Sequence, residues 1–98
     1  MKEMTLEFSR IAQEAGFEPE DGGKFNLPAT QKTADTLAAA AVRLVGEWEP
    51  GDTPVSLTLT GPGPVWGYLV IAHALHGRVV ELVYSAPNAT IVVFSHGV

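Results

Sequence analysis

Apolar and polar positions in the second half of the chain follow a clear pattern. Val55, Leu57 and Leu59 alternate with Ser56, Thr58 and Thr60, the pattern of a strand with one buried face. Gly61-Pro62-Gly63-Pro64 interrupts it, and Pro64 suits the first position of a helix. The apolar run from Val65 carries that helix to about His76, where Gly77 closes it. Apolar residues lie on most sides of this helix, which predicts that both of its faces are covered. Val79–Tyr84 reads as the next strand. Ser85–Ala89 reads as a turn with Pro87 and Asn88 in its central positions. Thr90–Ser95 reads as the last strand. The first two strands should be parallel with a right-handed crossover. The last two should form an antiparallel hairpin.

The first half is less regular. Thr33–Gly46 reads as a helix with one apolar stripe of Ala34, Leu37, Ala38, Ala41, Leu44 and Val45, and Gly46 as its stop. Met1–Gly16 admits two readings. Met4, Phe8, Ile11 and Ala15 fall at helical spacing with Thr5 as N-cap, whereas Leu6 and Phe8 alternate as in a short strand over 5–8. Helix is the preferred reading. Residues 18–23 and 49–54 are turn-rich loops, too short to link domains. The expected product is a single domain over 1–98: a small mixed sheet with helices, α/β and distantly Rossmann-like, with α+β as the alternative.

Composition and charge add four constraints. At 98 residues and 46% hydrophobic, with a mean hydropathy of +0.15, the chain is apolar for its length, which predicts an oligomer. It has no cysteine, so disulfides and thiolate metal sites are excluded. No secretory pattern opens the sequence and no apolar run reaches the roughly 20 residues of a membrane span, so a cytoplasmic protein without membrane contact is expected. The net charge of -5 argues against duplex DNA as a partner. Ten of the eleven acidic residues precede Thr53, and beyond that point only Arg78 and Glu81 are charged. The near-neutral second half need not repel a short anion, which backbone N–H groups could hold.

Four features are candidates for chemistry. The strand-to-helix turn Thr60-Gly61-Pro62-Gly63-Pro64 lies where open α/β sheets bind ligands; its glycines either admit a phosphate or simply make a tight turn. His73 and His76 stand three apart on one helix face with Trp66 and Leu69, as metal or phosphate ligands or as packing residues. His96 follows the last strand. Trp66 and Tyr68 either stack on an adenine or pack in the interior. Topology relates them. The helix and the last strand both finish at one end of the sheet, which puts His76 and His96 there. The glycine turn and Ser85 belong at the other end, about 20 Å away along a six-residue strand. A site using both ends must be shared between subunits.

The ordered set T-G-P-G-P-V-W at 60–66, A-H-A-L-H at 72–76, V-Y at 83–84 and V-V-F-S-H at 92–96 resembles the small stand-alone ring nucleases of type III CRISPR systems, the third-numbered family of the Csx series. The resemblance covers a little over a third of the chain. It implies a compact α/β fold whose dimers sandwich cyclic tetra-adenylate in a tetramer, and linearisation of that messenger to end the antiviral response. It also implies manganese-dependent trimming of RNA 3′ ends. Carried over by position, it makes His76 and His96 catalytic candidates, with His73 beside them. Gly61, Pro62, Gly63, Trp66 and Ser85 become ligand-binding candidates. One departure stands out. The family pattern has aspartate directly after V-Y and arginine two positions later, where this chain has Ser85 and Pro87. Serine replaces aspartate neither as a hard-metal ligand nor as a base at neutral pH, which weakens the expectation of Mn2+. Three readings follow: a ring nuclease using His76 and His96 as an acid–base pair, a protein that sequesters the messenger without cutting it, and a structural subunit whose histidines merely pack.

Overall fold

The computed structural model describes residues 2–48 and 54–96. The elements run β1 (Lys2–Glu7), α1 (Phe8–Glu14), α2 (Gln31–Trp48), β2 (Val55–Thr60), α3 (Val65–Leu75), β3 (Glu81–Ala86) and β4 (Ala89–Ser95). The four strands form one sheet in the order β1-β2-β3-β4. The β1–β2 and β2–β3 pairs are parallel and the β3–β4 pair is antiparallel. This is the mixed α/β sheet with a strand–helix–strand crossover and a C-terminal hairpin that the sequence predicts.

Both parallel crossovers step the same way across the sheet. Right-handed crossovers that do so put their helices on one face, and α2 packs against α3 accordingly. Burial follows the alternation. Met4, Leu6, Val55, Leu57, Leu59 and Leu82 are buried under the helices, where they meet Ile11, Leu37, Leu44, Ile71 and Leu75. Each such side chain contributes about 1.5–3 kcal/mol by leaving water. The opposite face carries the other set, with Thr5, Thr58, Val83 and Val92 in register across all four strands.

Several expectations are corrected. The opening segment is not one helix: Lys2–Glu7 is a strand with Met4 and Leu6 buried, and the chain turns helical only at Phe8. Thr5 is therefore a strand residue rather than an N-cap. Gly46 does not stop α2, which runs to Trp48, and the helix begins before Thr33 because the Thr30 hydroxyl accepts from the Thr33 N–H at 3.2 Å. Pro64 is the N-cap of α3, not its first helical residue. The strand expected at Val79 begins at Glu81, since Val79 and Val80 still belong to the connection from α3. Within one chain the helix is covered on one face only: Gly67, Ile71 and Leu75 face the core, while Val65 and Leu69 are exposed. The loop expected at 49–54 lies outside the described residues except for Pro54. Among the described residues no helix is long and apolar enough to cross a membrane.

Candidate functional site

The candidate residues gather at the two ends of the sheet. At the first end, α3 stops at His76, whose backbone is extended (φ −62, ψ 123) and whose N–H still donates to Ala72 at 3.1 Å. Gly77, at φ +88, then turns the chain toward β3, a conformation that only glycine adopts without strain. His96 is fixed by its N–H, which donates to the Val80 carbonyl at 2.8 Å. The result is a pair of imidazoles with Nε2 atoms 2.9 Å apart, one ring donating and the other accepting. Phe94 supports both rings: its centroid lies 4.9 Å from that of His76, edge-on, and 5.3 Å from that of His96. Both histidines are exposed, so the pair is open to a ligand.

His73 is not part of this cluster. It lies exposed on α3, and because His76 has left the helix the two do not share a helix face as their spacing suggests. Among the described residues no three His, Asp or Glu side chains come together. Mn2+ prefers carboxylate, carbonyl and water oxygen, and two imidazole nitrogens alone do not make a fitting site.

At the other end, Thr60, Gly61, Pro62, Ser85 and Pro87 line a shallow cavity of about 380 Å³ beyond the carboxyl ends of β2 and β3. The Thr60 hydroxyl ties the two strands by donating to the Ser85 carbonyl at 2.9 Å. Gly61 has φ +96, so the turn needs a glycine there. Its carbonyl accepts from the Tyr68 hydroxyl, which anchors the turn to α3. Burial, and secondarily the neighbouring Tyr84, push the Tyr68 phenol up to about 12, so at neutral pH it is a donor. Gly63 is required for a different reason: a Cβ there would lie 2.7 Å from the Phe8 ring. Its lack of a side chain thus serves packing, whatever else it serves. Trp66 packs against the core and does not line this cavity.

Gly61, Pro62 and Ser85 are therefore brought together, and so are His76 and His96, but the two groups occupy opposite ends of the sheet. Sequence reasoning missed Phe94 and Phe8. Phe94 stands two before His96, the spacing of one strand face, which is a usable signal. Phe8 gives no separate signal, because its spacing from Met4 and Ile11 reads as one helix. Comparison with protein-family models, with curated proteins and with solved structures finds no match to this chain.

Proposed function

We propose that the chain binds a cyclic oligoadenylate between copies of itself and linearises it, acting in the cytoplasm to switch off type III CRISPR signalling. Four adenylates is the ring size the resemblance implies, and a homodimer that assembles into a tetramer is the implied scaffold. The observation that carries this reading is the exposed His76–His96 pair, with 2.9 Å between Nε2 atoms contributed by two elements 20 residues apart. Such a pair contains one N–H and one bare ring nitrogen, the two components of acid–base catalysis.

The chemistry requires no metal. A bound phosphodiester parts the two rings. The bare imidazole takes the proton of a ribose 2′-hydroxyl, whose oxygen attacks the adjacent phosphorus. The P–O bond to the neighbouring 5′-oxygen breaks, and the other ring, which enters as the imidazolium, donates its proton to that oxygen and is left neutral. The products are a 2′,3′-cyclic phosphate and a 5′-hydroxyl, so atoms and charge balance. The attack is intramolecular and depends mainly on positioning. The cavity at the glycine-turn end is lined by no Asp, Glu, Lys or Arg, although Glu7 stands beside Gly61, and its backbone N–H groups suit the anionic ring of a second contact.

Ser85 and Pro87 favour a second reading, sequestration without cleavage, because the aspartate and arginine of the resembling family are replaced. One experiment separates the two. Protein in excess is incubated with cyclic tetra-adenylate, with and without manganese, and the nucleotides are resolved by chromatography. Linear products bearing a cyclic phosphate without manganese support the proposal. Intact ligand retained on the protein supports sequestration. No binding at micromolar concentration removes both.

A further inference from the structure

Every large apolar side chain exposed among the described residues lies on α3 or β4. Val65 and Leu69 expose 75% and 64% of their surface, and Ile91, Val92 and Val93 about half of theirs. Val65, Leu69, Ile91 and Val93 border a concavity of about 360 Å³ between α3 and the sheet edge, which continues to Gly63 and Tyr84. Contiguous apolar surface of this kind marks an interaction site.

The two edges of the sheet differ sharply. The β1 edge carries Lys2, Glu3 and Glu7, the charged blunting that keeps an edge strand single. The β4 edge, ATIVVFS, has no charge and no proline. α3 has no Asp, Glu, Lys or Arg either. On a chain of net charge -5, with ten of eleven acidic residues before Thr53, the α3–β4 side is where two like copies meet without repulsion.

We infer that the α3–β4 face is the docking surface for a second copy of this chain, across a two-fold axis passing near Leu69. Closed two-fold contacts pair the same patch on both copies. Val65–Leu75 is 11 residues long, or about 16 Å, and Leu69 lies near its middle. The axis therefore lays the two copies of α3 antiparallel, at the usual spacing of about 8–10 Å. The Gly61–Pro64 end of each helix then meets the His76 end of the other. One contact hides Val65, Leu69, Ile91 and Val93, leaves Val92 on the other face of the sheet, and brings together, twice, the two clusters that a single chain holds apart. The surface itself is independent of the nucleotide reading; only its role in completing a site rests on that reading.

Light scattering on the full chain, without ligand, tests the surface. Wild type should have the mass of two chains at micromolar concentration. Leu69→Lys and Ile91→Lys alter exposed positions, so both should keep the wild-type circular dichroism while dimer affinity falls by about thirtyfold or more, the scale of an interface hot spot. Thr5→Lys, on the uncovered face of β1, should remain a dimer. Because the chain has no cysteine, Leu69→Cys should crosslink to itself under mild oxidation and Arg10→Cys should not. A monomeric wild type, or dimers that survive both lysine variants, overturns the inference, as does failure of Leu69→Cys to crosslink. A dimer that Leu69→Lys splits, yet that binds no cyclic tetra-adenylate, upholds the surface and removes the nucleotide reading alone. A monomeric wild type that binds the nucleotide does the reverse.

Discussion

The ring of Phe8 occupies the space that a side chain on Gly63 would need: a Cβ there would sit 2.7 Å from Phe8 Cγ and Cδ2. Phe8 is almost fully buried at the junction of β1 and α1. The contact therefore couples the first strand's exit to the turn that follows β2. Gly63→Ala should destabilise the fold by about 1–3 kcal/mol, the cost of overpacking a filled core. Chemical denaturation of the two proteins measures it. An unchanged midpoint would mean that Phe8 moves aside freely.

Tyr68 holds the same turn from the other side through the Gly61 carbonyl. Its phenol ionises at about 12 in the folded chain, against 10.0 for an unperturbed tyrosine, because burial and then Tyr84 disfavour the anion. The unfolded chain loses this proton near pH 10 and the folded chain keeps it to about 12. Unfolding thus releases a proton between those values, and the contribution to stability, intact below pH 10, is lost as pH rises through 12. Tyr68→Phe should lower stability at pH 7 by about 1 kcal/mol through the lost hydrogen bond, and should flatten the decline above pH 10. Urea midpoints from pH 7 to 12 test both effects.

Much of the scaffold was legible because it is locally encoded. The alternation at Val55–Thr60, the glycine–proline turn, and the Pro87-Asn88 hairpin each announce themselves within a few residues, and each lies where the sequence puts it. From these elements alone, topology put His76 and His96 at one end of the sheet. The opening strand was not legible. It offers only Met4 and Leu6 as inward positions, and Phe8 and Ile11 continue Met4 at an accidental helical spacing. What makes Lys2–Glu7 a strand is parallel pairing with Val55–Thr60, more than 50 residues away, and such tertiary pairing overrides local pattern. The link between His73 and His76 failed for the opposite reason. Helical spacing held up to Leu75, and the chain left the helix at the very residue in question.

A site shared between copies makes a prediction that a site within one chain does not. His96→Ala disables one end and Pro62→Glu, an exposed substitution, disables the other by repelling phosphate. Each variant alone should be inactive. Mixed and allowed to exchange, half of the dimers contain both chains, and each of these retains one unaltered site. Roughly a quarter of wild-type activity should return, as two-fold pairing dictates. The rate of oligoadenylate cleavage before and after mixing measures it, and no recovery would mean that each chain uses its own residues at both ends.

The contrast between His73 and His76 gives the most discriminating substitution. His73 and His76 are three apart, both exposed, and identical in chemistry, so composition and spacing treat them alike. Only His76 meets His96, at 2.9 Å, with Phe94 behind it. At His73, an exposed position away from such contacts, alanine should change stability by no more than about 0.5 kcal/mol; at His76 it also removes the contacts to His96 and Phe94, and circular dichroism should show both variants folded. His73→Ala should leave cleavage within about threefold of wild type. His76→Ala should reduce it by about 100-fold or more, the contribution of a general acid or base, while ligand affinity changes little. His96→Ala should match His76→Ala, and the double variant should be no worse than either single one, since acid and base act as a unit. Additive losses, or a loss at His73 equal to that at His76, would remove the pair from the chemistry and leave the imidazoles as packing partners of Phe94.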